Sequence, residues 1–145
     1  MLGLRRCLER EKRLQALVRG LIRHRHIVSA HDCSEGGLAV ALAEACISRP
    51  DAPIGAQIAL SSPLRKDALF FGESQSRIVI SYPESAREAI AALAGEHNTP
   101  FTPLGRVGGG ALSVTVNGNP FLSEDINTLS DLWRNSLANY VRQTA

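Results

Sequence analysis

Two polar stretches hold most of the side chains able to bind a charged ligand. The first is His31-Asp32-Cys33-Ser34-Glu35-Gly36-Gly37-Leu38, directly ahead of a long apolar run. Asp32 and Ser34 are good acceptors for the free N–H groups of a coming helix, and Gly36 and Gly37 let backbone approach a ligand without an intervening Cβ. The start of a helix also presents unpaired N–H groups and a positive dipole end, which suits an anion such as phosphate. The same residues are equally consistent with a plain cap and turn, and Glu35 would oppose an anion nearby. The second stretch is Phe71-Gly72-Glu73-Ser74-Gln75-Ser76-Arg77. Arg77 could grip phosphate in bidentate fashion, while Glu73 and Gln75 could hold ribose hydroxyls or a polar side chain. A solvated polar loop is the competing reading.

Other chemistry is less well supported. His24, His26, His31 and Cys33 alternate, which would place His24 and His26 on one face of a strand, yet no HExxH or related spacing accompanies them. Cys33 as a nucleophile would need a base such as His31 within reach, and neighbours two apart on a turn need not touch. The cysteines Cys7, Cys33 and Cys46 are odd in number and lack a CxxC, so free thiols are expected. Gly105-Arg-Val-Gly-Gly-Gly110 lacks the Lys-Ser/Thr pair and the following helix of a phosphate loop, and reads as a hairpin. Trp133 and Tyr140 fall on a helical stripe and read as core or interface rather than as a stacking platform.

The elements that must position these residues follow from hydrophobic period. Leu14, Leu17, Val18, Leu21 and Ile22 give one helical stripe. A strand over 26–30, the glycine turn and a buried helix over 38–47 follow. A strand over 54–60 precedes a helix over 63–70, capped by Ser62 with Pro63 at its first position. Ile78 to Tyr82 is the clearest strand, stopped by Pro83. A helix over 86–93 ends near Gly95, and strands over 101–107 and 111–116 are joined by three glycines. Asn117-Gly118 is a turn, and Leu129, Leu132, Trp133, Leu137 and Tyr140 mark a last amphipathic helix of a type that docks on a sheet. The alternation predicts an α+β fold with a mixed sheet.

Composition sets the outer bounds. The 145 residues suit one domain, or one lobe of a larger enzyme, and 44% hydrophobic with 21% charged residues disfavours disorder and coiled coil. No apolar run is long enough for a membrane span and the start is charged, so a cytoplasmic location is expected. The net charge of +2 is unevenly spread. Residues 1–26 hold eight Arg/Lys against two Glu, a net +6, leaving −4 for the remainder. A solvated basic helix face is the common cause of such an asymmetry, and a nucleic-acid contact the rarer one.

The two motifs in this order, Ala30-His-Asp-Cys-Ser-Glu-Gly-Gly-Leu-Ala-Val-Ala-Leu-Ala-Glu44 and Leu69-Phe-Phe-Gly-Glu-Ser-Gln-Ser-Arg-Ile-Val-Ile80, resemble the carboxy-terminal domain of the aminoimidazole ribonucleotide synthase superfamily. Within it the likeness is greatest to the phosphoribosylformylglycinamidine synthase family. The resemblance implies a three-layer α/β/α sandwich with a mixed β-sheet over residues 14–145, preceded by a basic extension or linker over 1–13. It implies ATP-dependent amidation of formylglycinamide ribonucleotide in purine biosynthesis, a ligase reaction. ATP and magnesium serve the whole enzyme, whose catalytic His, nucleotide Lys and magnesium carboxylates lie on amino-terminal domains that no stretch here matches. By the same resemblance, Asp32, Ser34, Gly36, Gly37, Gly72, Glu73, Ser74, Gln75, Ser76 and Arg77 form the wall of a substrate or auxiliary nucleotide site. The resemblance implies that the chain depends on the missing ATP-binding domains and a glutaminase as partners and is inactive alone; a homodimer is expected of the isolated chain, because a surface built to meet those partners is left exposed. Cys33 stands where an aliphatic residue is usual and Glu35 where aspartate is common. The alternatives are a non-catalytic module that uses the basic first helix, and the C-terminal half of another ATP-dependent enzyme of the superfamily.

Overall fold

The computed structural model describes the backbone of residues 2–144 and the side chains of residues 7–142. The chain divides into two compact units, Met1–Ala41 with Lys66–Pro103, and Leu42–Arg65 with Leu104–Ala145.

The first unit contains α1 (Leu2–Arg23), β1 (Ser29–Asp32), the start of α2 (Gly37–Ile47), α3 (Lys66–Phe71), β3 (Ile78–Ser81) and α4 (Arg87–Glu96). The predicted stripe of α1 is largely the buried one, with Leu14, Leu17 and Leu21 inside, although Ile22 stays exposed. Leu17 and Leu21 pack with Ala86, Ile90 and Ala94, and Ile80, Tyr82 and Phe101 close the cluster. Leu21 and Ile90 are each 1% exposed, so each is worth roughly 1.5–3 kcal/mol of burial. Both helices end in the same way. At the end of α1, Arg25 adopts φ +55° while its N–H reaches the Ile22 carbonyl and the His26 N–H reaches Leu21. At the end of α4, Asn98 (φ +48°) and Thr99 do likewise to Gly95 and Ala94. These are paired left-handed caps that satisfy the last carbonyls. The expected stop at Gly95 is therefore moved to Asn98, and Gly95 lies inside the helix. The turn at Arg25 also takes His24 and His26 out of any strand, and their rings stack with centroids 5.7 Å apart.

The second unit holds the rest of α2, β2 (Ala56–Leu60), β4 (Gly105–Val107), β5 (Ala111–Val116), β6 (Asn119–Asp125) and α5 (Ile126–Thr144). Its four strands lie in the order β4-β2-β5-β6, with β2 parallel to β5 and the other pairs antiparallel. The mixed sheet is thus present, while β1 and β3 form a separate antiparallel pair. Two strand expectations change. The 101–107 and 111–116 segments do not form a hairpin, because β2 pairs with both and lies between them. The hairpin is β5–β6, turned by Asn117 (φ +52°) and Gly118 (φ +79°), the two positive φ values of the tightest hairpin loop. β6 escapes a sequence reading because Pro120 and a run of Ser, Glu and Asp suit only an edge strand. Alternation survives in β5, where Leu112, Val114 and Val116 are buried.

Two helices start elsewhere than expected. Ser62 does not cap α3: its Oγ accepts from the Leu64 N–H at 3.2 Å, a local turn, and the helix begins at Lys66. α5 begins at Ile126, capped by Asp125, whose Oδ1 accepts from the Asn127 and Thr128 N–H groups at 2.9 and 3.0 Å. Leu132, Trp133, Leu137 and Tyr140 of this helix are exposed, not core. Arg134 ties α5 to the end of α2 through the Ile47 carbonyl at 2.7 Å. Among the described residues no helix is long and apolar enough to cross a membrane.

Candidate functional site

The antiparallel pair of β1 and β3 brings the two polar stretches together. Asp32 lies opposite Ile78, and one step further the Cys33 N–H donates to the Arg77 carbonyl at 3.1 Å. The chain therefore leaves β1 into the Cys33–Gly37 turn at the same end at which it enters β3 from the Gly72–Arg77 loop. The contact that joins them is a hydrogen bond from the Gly36 N–H to Glu73 Oε1, at 3.0 Å. A carboxylate thus sits at the start of α2, where the dipole and the unpaired N–H groups favour negative charge.

The two glycines do different work from that expected of a ligand-clearing pair. Gly37 is buried at φ +67°, and a Cβ there would lie 2.6 Å from the Phe70 carbonyl oxygen. Its missing side chain makes room for the backbone at the end of α3. At Gly36 (φ +71°) a Cβ would meet the Val40 side chain at 2.4 Å. Left-handed φ values and close packing together account for the glycine at both positions.

The remaining candidates separate into anchored and exposed groups. Arg77 Nη2 donates to the Gly72 carbonyl, folding the guanidinium back onto its own loop, and Nε is buried with no hydrogen-bond partner among the described residues. Ser76, in the left-handed region at φ +60°, donates from Oγ to Glu11 Oε2 at 2.6 Å. Ser74 and Gln75 are exposed at the crest of the loop. Asp32 is exposed, and its bond from the Ser34 hydroxyl holds its carboxyl below the ordinary range. Ser34 therefore serves Asp32. Cys33 is 4% exposed, and burial pushes its thiol up despite the nearby Arg77 charge, so it is a protonated core residue rather than a nucleophile. Glu11 is the residue that sequence reasoning missed. It lies on α1 within residues 1–13, the stretch expected to be an extension or linker, where nothing in the sequence marks it out. An open depression of about 650 Å³, lined by Glu84, Arg87, Glu88 and Phe101 among others, includes none of these residues.

The family model for AIR synthase related proteins, C-terminal domain, matches residues 5–117. The chain belongs to this family. The matched span includes the β1–β3 pair and the loops described above, whereas β6 and α5 lie beyond it. The subunit PurL of phosphoribosylformylglycinamidine synthase from Moorella thermoacetica is 43% identical over 130 residues, which is 90% of this chain and 17% of that protein. Solved Thermotoga maritima PurL complexed with ATP superposes with a TM-score of 0.70 at 19% identity, over 82% of this chain and 21% of that one. The structure of PurLQS from the same organism gives 0.66 at 22% identity, over 83% and 21%. The chain spans about a fifth of the length of the relatives it matches. The α+β fold with a mixed sheet is thereby that of the family.

Proposed function

We propose that the chain acts as a C-terminal domain of a PurL-type phosphoribosylformylglycinamidine synthase, forming one wall of a phosphate or nucleotide cavity and an interface to the ATP-binding domains. The observation that carries the reading is the Gly36–Glu73 hydrogen bond, which links the two motifs and supports a shared site. A ligand phosphate arriving at the start of α2 would take over the Gly36 N–H, releasing the Glu73 carboxylate toward ribose hydroxyls, for which it is a suitable acceptor. Gln75 and Ser74, exposed at the crest, offer further donors and acceptors. Arg77 would need to leave the Gly72 carbonyl to grip phosphate, so its role in this reading is that of a half-buried positive charge at the base of the loop.

Glutamine-derived ammonia, ATP hydrolysis and magnesium belong to the partner domains and glutaminase in this proposal. The reading assigns the magnesium ligands to those partner domains; among the described residues no three His, Cys, Asp or Glu side chains converge. The chain alone is expected to be inactive, cytoplasmic and self-associating, with the stretch 1–13 serving as a connection to preceding domains. Titration calorimetry with ATP and with formylglycinamide ribonucleotide tests the reading. Weak or undetectable binding to the chain alone, restored by adding an ATP-binding half of a PurL-type synthase, is the expected outcome. No binding of either ligand after reconstitution would remove it. Sedimentation of the chain at high concentration tests the dimer, which a clean monomer excludes.

A further inference from the structure

We propose that Glu11, on the first helix, is a positioning residue that fixes the Gly72–Arg77 loop. Both of its carboxylate oxygens are engaged: Oε1 accepts from Gln15 Nε2 at 2.9 Å, one turn along α1, and Oε2 accepts from Ser76 Oγ at 2.6 Å, 65 residues downstream. The neighbouring cations do not compete for it. Lys12 Nζ pairs with Glu9 Oε1 at 3.3 Å, and Arg13 Nε donates to the Glu9 carbonyl at 3.1 Å. The hydroxyl of Ser76 first, and Gln15 second, hold the Glu11 carboxyl below its ordinary range, so the group is charged where it acts.

The need for such a contact is local. Ser76 is a non-glycine residue at φ +60°, a conformation that is unfavourable unless its surroundings enforce it. With Glu11 in place the loop is held at both ends: Glu73 is tied to the Gly36 N–H and Ser76 to α1, while Arg77 closes the loop on the Gly72 carbonyl. Ser74 and Gln75 are left as the exposed crest between two anchors. A carboxylate hydrogen bond of this kind, short and partly buried, is stronger than a neutral one. Glu11 therefore decides where the crest stands, and a residue in the basic amino-terminal stretch becomes part of the site. The inference rests on the ligand-holding reading of that loop, but its test needs no ligand.

Hydrogen exchange of the full chain, comparing the amides of residues 72–77 with those of α4 as an internal reference, supplies the test. Glu11→Ala is expected to speed exchange in the loop roughly 3- to 10-fold while leaving α4 unchanged. Ser76→Ala keeps the Cβ and removes only the hydroxyl, so it should match Glu11→Ala, and the double variant should go no further than either single one. Glu11→Gln retains an acceptor and should restore most of the protection, which a general loss of stability would not. Unchanged loop exchange in both single variants, or acceleration spread equally over α4, overturns the proposal. Should Glu11→Ala fail to fold, Ser76→Ala decides alone. ATP titration of the reconstituted variants then separates the two readings, since a loosened loop with unaltered ATP binding keeps the clasp and rejects the ligand role of the crest.

Discussion

Replacing Gly37 with alanine asks whether the second glycine of the turn exists for packing or for backbone conformation alone. Two costs follow from its geometry. A Cβ at φ +67° incurs about 1–2 kcal/mol of backbone strain. It would also stand 2.6 Å from the Phe70 carbonyl oxygen and 3.0 Å from the Cα and carbonyl carbon of Phe71, all backbone atoms that cannot swing aside. Forcing apart a packed helix end costs about 1–3 kcal/mol. Together these give roughly 2–5 kcal/mol, a large part of the stability of a small protein, or about 6–15 °C in melting temperature at the usual scaling for this size. Two controls isolate the contact. Gly109→Ala, at φ +79° with no atom within 4 Å of the new Cβ, should show only the backbone part, about 1–2 kcal/mol. Gly95→Ala, inside α4 with equally open space, should stabilise by about 0.5–1 kcal/mol. Urea titrations followed by circular dichroism give all three values. A Gly37→Ala variant as stable as Gly109→Ala would mean that the end of α3 does not press on this turn, leaving the left-handed backbone as the reason for the glycine.

Three further outcomes are expected. Asp125→Ala removes the acceptor for the Asn127 and Thr128 N–H groups and should cost about 1 kcal/mol, with faster exchange in the first turn of α5; unchanged exchange there would deny the cap. A thiol reagent added to the native chain should modify exposed Cys7 rapidly, and buried Cys33 and Cys46, whose thiols burial pushes up, only on unfolding; three thiols reacting at one rate would contradict this. The carboxyls of Asp32 and Glu11 are lowered in the folded chain, so they bind fewer protons than when unfolded. Their stabilisation is complete above the ordinary carboxylate values, about 3.9 and 4.3, and fades as pH falls through the lower folded ones. Urea midpoints should therefore hold between pH 6 and about 5 and drop below about 4. Glu11→Gln should show a shallower drop, and an acid slope equal to that of the unaltered chain would be inconsistent with the Ser76 contact.

Period and punctuation in the chain were enough for most elements. The stripe from Leu14 to Leu21, the β-branched run at Ile78, the Pro83 stop and the Asn117-Gly118 turn are local signals, and each element they mark is present, although the first helix reaches back to Leu2 through the stretch expected as an extension. The failures share a cause. β6 and the pairing of β4 depend on which strand lies alongside, and nothing in the residues of β4 records that β2 comes between it and β5. The ends of α1 and α4 were missed because Arg25 and Asn98 take a conformation that glycine would have advertised. The apolar residues of α5 followed a helical period correctly, yet period reports which face is apolar and not what covers it.

The candidate site divides along the same line. The amino acids alone determined which groups are present, two glycines at a helix start and a six-residue polar loop ahead of a strand, because side-chain chemistry is a property of each residue. Folding decided their use. Antiparallel pairing of β1 with β3 placed Glu73 on the Gly36 N–H, packing of α3 consumed the space beside Gly37, and α1 reached across 65 residues to Ser76. Hydrogen bonds and close contacts of that kind form between atoms a few ångströms apart in space, and distance along the chain carries no record of them.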